Sequence, residues 1–284
     1  MQFSILTPSF NNLEYLKLLI KSININSSYN HELIVHVNDG SDGTLDFVKK
    51  NDIKFTHSSS NIGLCSAINL AASKATKNYL LYVHDDMYLC PKWDLFLNNE
   101  VQNIGHDNFY LSGTMIEPNS GHIKFDAGET IESFDENKLL KNLESLNFFD
   151  HQGSHFAPHL VSKKMWEDIG GFSEEFNPGD GSDPDFCMKL WLNGVRIFKG
   201  ISKFKVYHFN SITTRNNKII LNNGTKQFLL KYGFNPRFFR KYYLKGNNTI
   251  IPYIGELMNP KVTFFMFVDL LINKIKYVVL KFKS

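Results

Sequence analysis

The stretch YLLYVHDDMYLC, residues 79–90, begins as an apolar run and then sets His84, Asp85 and Asp86 side by side. A short apolar run reads as a buried strand, here over 79–86, whose last residues emerge from the core as acids. Adjacent carboxylates repel and each favours hydration, so keeping both at a core edge calls for a cation or a dense set of donors. Upstream, the runs FSILTPS (3–9), ELIVHVND (32–39) and IKFTHS (53–58) read as three more strands. Between them lie LEYLKLLIKSI (13–23), with apolar residues at helical spacing, a short helix opened by the turn NDGSDGT (38–44), and the Ala-rich LCSAINLAASKA (64–75). Strands apolar on both faces and separated by helices predict an α/β fold, a Rossmann-like, mainly parallel sheet flanked by helices. Ligands in such sheets bind beyond the carboxyl ends of the strands. That rule collects Thr7, Ser9, Asn38, Asp39, Asp85 and Asp86 at one edge.

From about residue 108 the pattern changes. FYLSGTMIEP (109–118) and HIKFDAGE (122–129) predict a strand pair around PNSG, and 135–146 reads as a helix. A short helix ending at Gly170–Gly171, an acidic Gly-rich loop and an amphipathic helix over roughly 183–193 follow, then two strand pieces, VRIFKG and KFKVYH. No internal repeat or linker composition separates the halves, so they are expected to share one domain.

Composition excludes several classes. The 284 residues are 43% hydrophobic, enough for a substantial core, and 31 Lys and Arg against 28 Asp and Glu leave a net charge of +3. That balance is too even for a nucleic-acid-coating protein, so no nucleic-acid partner is expected. Three widely spaced cysteines, with no CxxC pair, indicate neither a disulfide framework nor a zinc site and point to a reducing compartment. The opening MQFSILTPSF carries no basic leader and long apolar region, and reads as folded protein, with a cytoplasmic location expected.

The order ILTPSFNN, VNDGSDGT, NIGLCSAINLA, YLLYVHDD, GGFSEEF and SDPDFCMKLWLNG resembles the family 2 glycosyltransferases of GT-A fold, over roughly residues 1–210. The resemblance implies an inverting transferase that moves a sugar from a nucleotide-diphospho-sugar, with a UDP-sugar expected, to a glycan, lipid-linked or other glycoconjugate acceptor. It places Asp39 on the nucleotide base, where a carboxylate can accept the imide N–H of uracil. Thr7, Ser9, Asn61, Gly63 and Asp85 fall in the nucleotide-sugar segments, Asp85 expected to hold the ribose or a metal-bound water. Asp85–Asp86 matches the DXD-type signature in the form HDD. Asp86 is the expected ligand of Mn²⁺ or Mg²⁺, hard cations that bridge oxygen ligands and diphosphate. His84 is either a further ligand or a strand residue facing the pocket, and His208 is either structural or a second metal ligand. Asp183 matches the family's general base, with Ser182 standing where an acid is usual; a base opposite the donor predicts in-line displacement. Ser182 or Asp183 also reads as a helix cap ahead of Pro184, and Asp185 is a secondary site candidate. Trp166, Met188 and Trp191 read as packing.

These matches divide the chain into a catalytic domain over 1–215, with a nucleotide-sugar half (1–107) and an acceptor half (108–215), and a mostly helical extension over 216–284. The end of that extension, FFMFVDLLINKIKYVVLKFKS, is interrupted by Asp269 and lysines, short of the ~20 apolar residues of a membrane span. It suits a helix at the inner face of a membrane, a dimer contact or a helix docked on the core. Two other readings of the chain are kept: a catalytically inactive relative that binds nucleotide-sugar or a partner protein, and a sugar nucleotidyltransferase. The second lacks a Gly-rich basic triphosphate loop.

Overall fold

The computed structural model describes residues 1–209, 222–246 and 249–282; the 215/216 boundary expected from sequence lies outside them. The N-terminal half alternates β1 (Ser4–Phe10), α1 (Leu13–Asn26), β2 (Glu32–Asn38), α2 (Thr44–Lys50), β3 (Lys54–Ser58), α3 (Leu64–Ala72) and β4 (Tyr79–Tyr82). Then come β5 (Met87–Leu89), α4 (Trp93–Ile104), β6 (Phe109–Glu117), β7 (Ile123–Lys124) and α5 (Glu136–Asn142). Next are β8 (His151–Gln152), β9 (His159–Ser162), α6 (Lys163–Asp168), α7 (Ser182–Leu192) and β10 (Ile197–His208). Beyond the undescribed residues lie α8 (Gly224–Tyr232), a helical turn over 236–243 and α9 (Phe264–Lys281).

One sheet runs in the order β3-β2-β1-β4-β9-β6-β10-β5, with β7 on β6 and β8 on β10. β1 pairs parallel with β2 and β4, and β2 with β3, because helices return the chain over the sheet faces. β9 is antiparallel to both β4 and β6, so β6 and its parallel neighbour β10 point the same way as β1–β4. The expected mainly parallel α/β architecture is therefore present, with β9, β5 and the two-residue β8 reversed. Ile5, Leu6, Ile34, Val35 and Val37 are fully buried, as strands covered on both faces must be.

Three local expectations are corrected. The strand of residues 79–86 stops at Tyr82, where pairing with β9 ends; His84 follows in irregular chain, Asp85 and Asp86 form a turn, and 87–89 form a separate strand against β10. The expected hairpin after β6 shrinks to two residues, which pair parallel to β6. VRIFKG and KFKVYH merge into β10, whose pairing with β6 shifts register between Gly200 and Lys205.

The main core also takes in Phe228, Phe234, Phe238, Phe239, Leu244 and Met266, so the C-terminal segment packs on the same hydrophobic centre as the sheet. Trp166, Met188 and Trp191 belong to that core, as expected. A second cluster, around Tyr15, Tyr88, Ile116, Leu139 and Phe209, lies under the excursion between β6 and β8. The three cysteines are free and buried.

Candidate functional site

β1, β2 and β4 are parallel neighbours, so their last residues and the turns after them share one edge. Ser9, near the end of β1, donates through Oγ to Asp85 Oδ2 at 2.7 Å, tying the β1 end to the turn after β4. Thr7 sits further back, its hydroxyl buried without a hydrogen-bond partner. Asp39, just past β2, has a positive φ of 62°. Its N–H donates to Ser58 O at 2.9 Å, His57 Nε2 donates to its carbonyl at 3.0 Å, and Asn11 Nδ2 donates to its carboxylate at 3.1 Å. Asn11, which sequence reading passed over, also accepts from Gly40 N–H and so fixes the turn.

The loop with Asn61 and Gly63 is built from a distance. Asn177 Oδ1 accepts from the N–H groups of Cys65 (2.9 Å) and Ser66 (3.4 Å), filling the cap position that Gly63 leaves without a side chain at the start of α3. Gly63 has φ +85°, and a Cβ there would press into the Asn177 side chain. Its need for glycine thus has a packing cause. Asn61 Oδ1 accepts from Gly63 N–H at 2.9 Å, and Asn69 exchanges two hydrogen bonds with the backbone of Phe172.

His84, Asp86 and His208 converge: one donor atom from each lies within 4.8 Å of the others. Asp86 Oδ1 is 3.4 Å from His208 Nε2 and 3.9 Å from His84 Nδ1. β10 brings His208 here, and Phe209 N–H binds Asp86 O at 3.1 Å, locking the two segments together. Behind His208 stands Glu117, at the end of β6, whose Oε1 is 2.6 Å from His208 Nδ1; Ser120 donates to its other oxygen. Nothing local marks Glu117 in the sequence, because its partner is 91 residues away. Burial opposes a charge on His208, yet Asp86 and Glu117 outweigh it and lift its pKa to about 10. Burial lowers His84 to about 4, keeping that imidazole neutral.

These residues fit a divalent ion. His208 Nε2 is buried, 3.4 Å from Asp86 without forming a hydrogen bond, and would give up its proton when an ion binds, while Nδ1 is held by a carboxylate, the arrangement that orients ligating imidazoles in metal sites. Two imidazoles and a carboxylate suit Mn²⁺ and later divalent ions better than Mg²⁺, which prefers oxygen alone.

Asp183 lies in the first turn of α7, whose cap position is Gly181 without a side-chain cap bond. The capping reading of Ser182 and Asp183 is therefore corrected: Ser182 Oγ donates to Gly179 O at 2.7 Å. Asp183 Oδ1 is buried with no hydrogen-bond partner, and burial raises the carboxyl pKa to about 7. Tyr82, fully buried at the end of β4 with an unpartnered hydroxyl, links the two regions. Its pKa is pushed far up by burial first and then by Asp183, Cys65, Asp85 and Asp86. Asp185 is turned elsewhere: it pairs with Lys231 at 2.8 Å and accepts from the Tyr232 hydroxyl at 2.7 Å, anchoring α8.

Residues 4–160 match the family model described as glycosyl transferase family 2. No curated protein matches the chain. Among solved structures, the S. aureus TarS fragment 1–349 superposes with a TM-score of 0.56 at 18% identity, over 73% of this chain and 60% of that one. The same fragment in complex with UDP-GlcNAc gives 0.54 at 19% identity, over 74% and 61%. GalNAc-T7 with UDP, GalNAc and Mn²⁺ gives 0.58 at 13% identity, over 81% of this chain and 47% of that one. The chain thus spans about three-fifths of the TarS fragment, and the likeness shows a shared GT-A fold. With the family model covering more than half of its length, the chain belongs to glycosyl transferase family 2.

Proposed function

We propose that this chain is a metal-dependent, inverting glycosyltransferase that takes a UDP-sugar as donor and a glycan or glycoconjugate hydroxyl as acceptor. The observation carrying the reading is the pairing of a His84–Asp86–His208 cluster with Asp183, whose Oδ1 is buried and unpartnered; Asp86 and Asp183 both act on the buried Tyr82 hydroxyl at the end of β4. UDP, UDP-GlcNAc and Mn²⁺ in the complexes of TarS and GalNAc-T7, proteins of this fold, support the choice of donor and ion. In this scheme residues 1–107 hold the donor, 108–215 the acceptor, and 216–284 form an extension.

Asp39 accepts a hydrogen bond from the base, its carboxylate pre-set by Asn11. Asp85, held by Ser9, contacts the ribose. His84, Asp86 and His208 would hold the ion, which would supply positive charge to stabilise the leaving diphosphate. Glu117 acts through His208 by fixing its ring and keeping Nε2 turned outward. Asp183 takes the proton of the acceptor hydroxyl as its oxygen attacks the anomeric carbon, and the bond from that carbon to the diphosphate breaks on the opposite face. That order of bond changes inverts the anomeric centre.

A nucleotide-sugar-binding relative without catalysis is favoured by one feature: Ser182 replaces the usual acid, and its hydroxyl is engaged by Gly179. One assay separates the readings. The chain is incubated with a panel of nucleotide-sugars and Mn²⁺, and nucleoside diphosphate release is measured with and without glycan acceptors. Acceptor-stimulated release from one donor supports transfer; no release, with no metal-dependent UDP binding, refutes it. Binding without release supports the inactive relative.

A further inference from the structure

The last helix, α9, is amphipathic in the inverted sense. Its protein-facing side is formed by Met266 (6% exposed) and Asn273 (4% exposed), with the half-buried Asp269 and Leu270. Asn273 Oδ1 accepts from Asn235 N–H at 2.9 Å, and Asp269 Oδ2 is bound by Lys241 at 2.8 Å and by the Tyr242 hydroxyl at 2.6 Å. The opposite side is apolar and open. Phe264, Val268, Leu271, Ile275, Val279 and Phe282 follow one another at helical spacing, all exposed, with Phe264 at 76% and Phe282 at 88%. Phe265 and Ile272 extend this strip on one side, Phe267 and Val278 on the other, giving an uncharged arc of about 160° around the helix.

The edges of the arc are cationic. Lys276 borders it beside Phe265 and Ile272, and Lys274 with Lys281 border it beside Phe267 and Val278. On the Lys276 side, a cleft of ≈ 220 Å³ between α9 and the turn over 236–243 is lined by Arg237, Lys241 and Lys276, with Asp269 its one acid. No described helix is long and apolar enough to cross a membrane.

We propose that α9 docks the protein on the surface of an anionic lipid bilayer, its apolar strip sunk among the acyl chains near the headgroups and its lysines against lipid phosphates. A broad apolar face bordered by lysines is the pattern of interfacial helices, whose cations reach up to the headgroup layer. A second copy of the chain fits less well. An isologous contact would set lysine edges against lysine edges, and the helix's one acid is already engaged by Lys241 and Tyr242. If the proposed transferase reading holds, this docking restricts the acceptor to lipid-anchored glycans; the docking itself does not depend on that reading.

Flotation of the full chain with vesicles tests this, since aggregated protein does not float. Phosphatidylcholine vesicles and mixed phosphatidylcholine–phosphatidylglycerol vesicles are compared at low and high salt. The wild-type chain is expected to float with the mixed vesicles and to be released in part by salt. Phe264→Ser with Leu271→Ser and Ile275→Ser, all on the outward strip, should weaken partitioning at least about tenfold while leaving the thermal midpoint and UDP binding unchanged. Lys274→Glu with Lys276→Glu and Lys281→Glu should abolish the preference for anionic vesicles, and decides the matter alone if the serine variant fails to fold. A wild-type chain that stays at the bottom with every vesicle overturns the proposal. So does a serine variant that floats as well as wild type, or one whose only change is conversion of a dimer to a monomer.

Discussion

At the residue scale, the chemistry rests on how few groups share a small volume. Asp183 has a carboxyl oxygen removed from water and left without a donor, and that burial lifts its pKa from 3.8 to about 7. A general base, the role proposed for Asp183, must be ionised to act, so kcat/KM should climb about tenfold per pH unit below that pKa and level off above it. Asp183→Asn should lower transfer by ~10²–10⁴ and leave UDP binding intact, as read by initial rates and calorimetry. Stability shifts the other way. Between pH 3.8 and about 7 the folded chain holds a proton that the unfolded chain has lost, so stability falls as pH rises through that window. The Asn variant lacks this loss and should be more stable above it, by of order 1–4 kcal/mol, in denaturant titrations at two pH values. Glu117 offers a different readout. Glu117→Gln keeps a partner for His208 but weakens its hold on the ring, and should raise the Mn²⁺ concentration needed for half-maximal turnover ~10–100-fold. Turnover at saturating Mn²⁺ should be nearly unchanged, an outcome that general unfolding would not give. Of these residues, motif order singled out Asp183 and His208 as candidates. Glu117, Tyr82 and Asn11 were not, because each gains meaning only from a partner far along the chain.

At the element scale, the loops that shape the site are stabilised across the fold. The start of α3 is capped by Asn177, 112 residues distant from Cys65, and Gly63 leaves the room for it. Asn177→Ala should cost ~1–2 kcal/mol, the usual loss for a missing cap, measured as a lower denaturant midpoint. Gly63→Ala should cost more, because the new methyl group meets Asn177 while the backbone stays at positive φ. The helical and strand periods of the N-terminal half predicted α1, α3 and β1–β3 to within a few residues, since each is set by its own apolar spacing. The errors fell where pairing decides. β4 ends at Tyr82 because β9 stops there, and β5 exists because β10 runs beside it. Neither partner is visible from residues 79–90 alone.

At the scale of the whole molecule, the C-terminal segment shares the core of the sheet through Phe228, Phe234, Phe238 and Phe239, while Asp185 is held by Lys231 and Tyr232. Ligand binding should therefore register in global unfolding. UDP with Mn²⁺ at about 100 times its Kd should add ~2.7 kcal/mol, a thermal midpoint rise of several degrees that EDTA removes and that Mg²⁺ reproduces only weakly. An EDTA-insensitive rise would remove the ion from the donor site. By itself the sequence determined the alternation of strands and helices, the acids at the strand ends and the family, because apolar periodicity and side-chain chemistry are written locally. Only the tertiary structure decided that His84, Asp86, His208 and Glu117 form one cluster, that Asp185 anchors α8, and that α9 turns its apolar side outward. Those depend on the order in which distant strands and helices pack, and local spacing carries no record of that order.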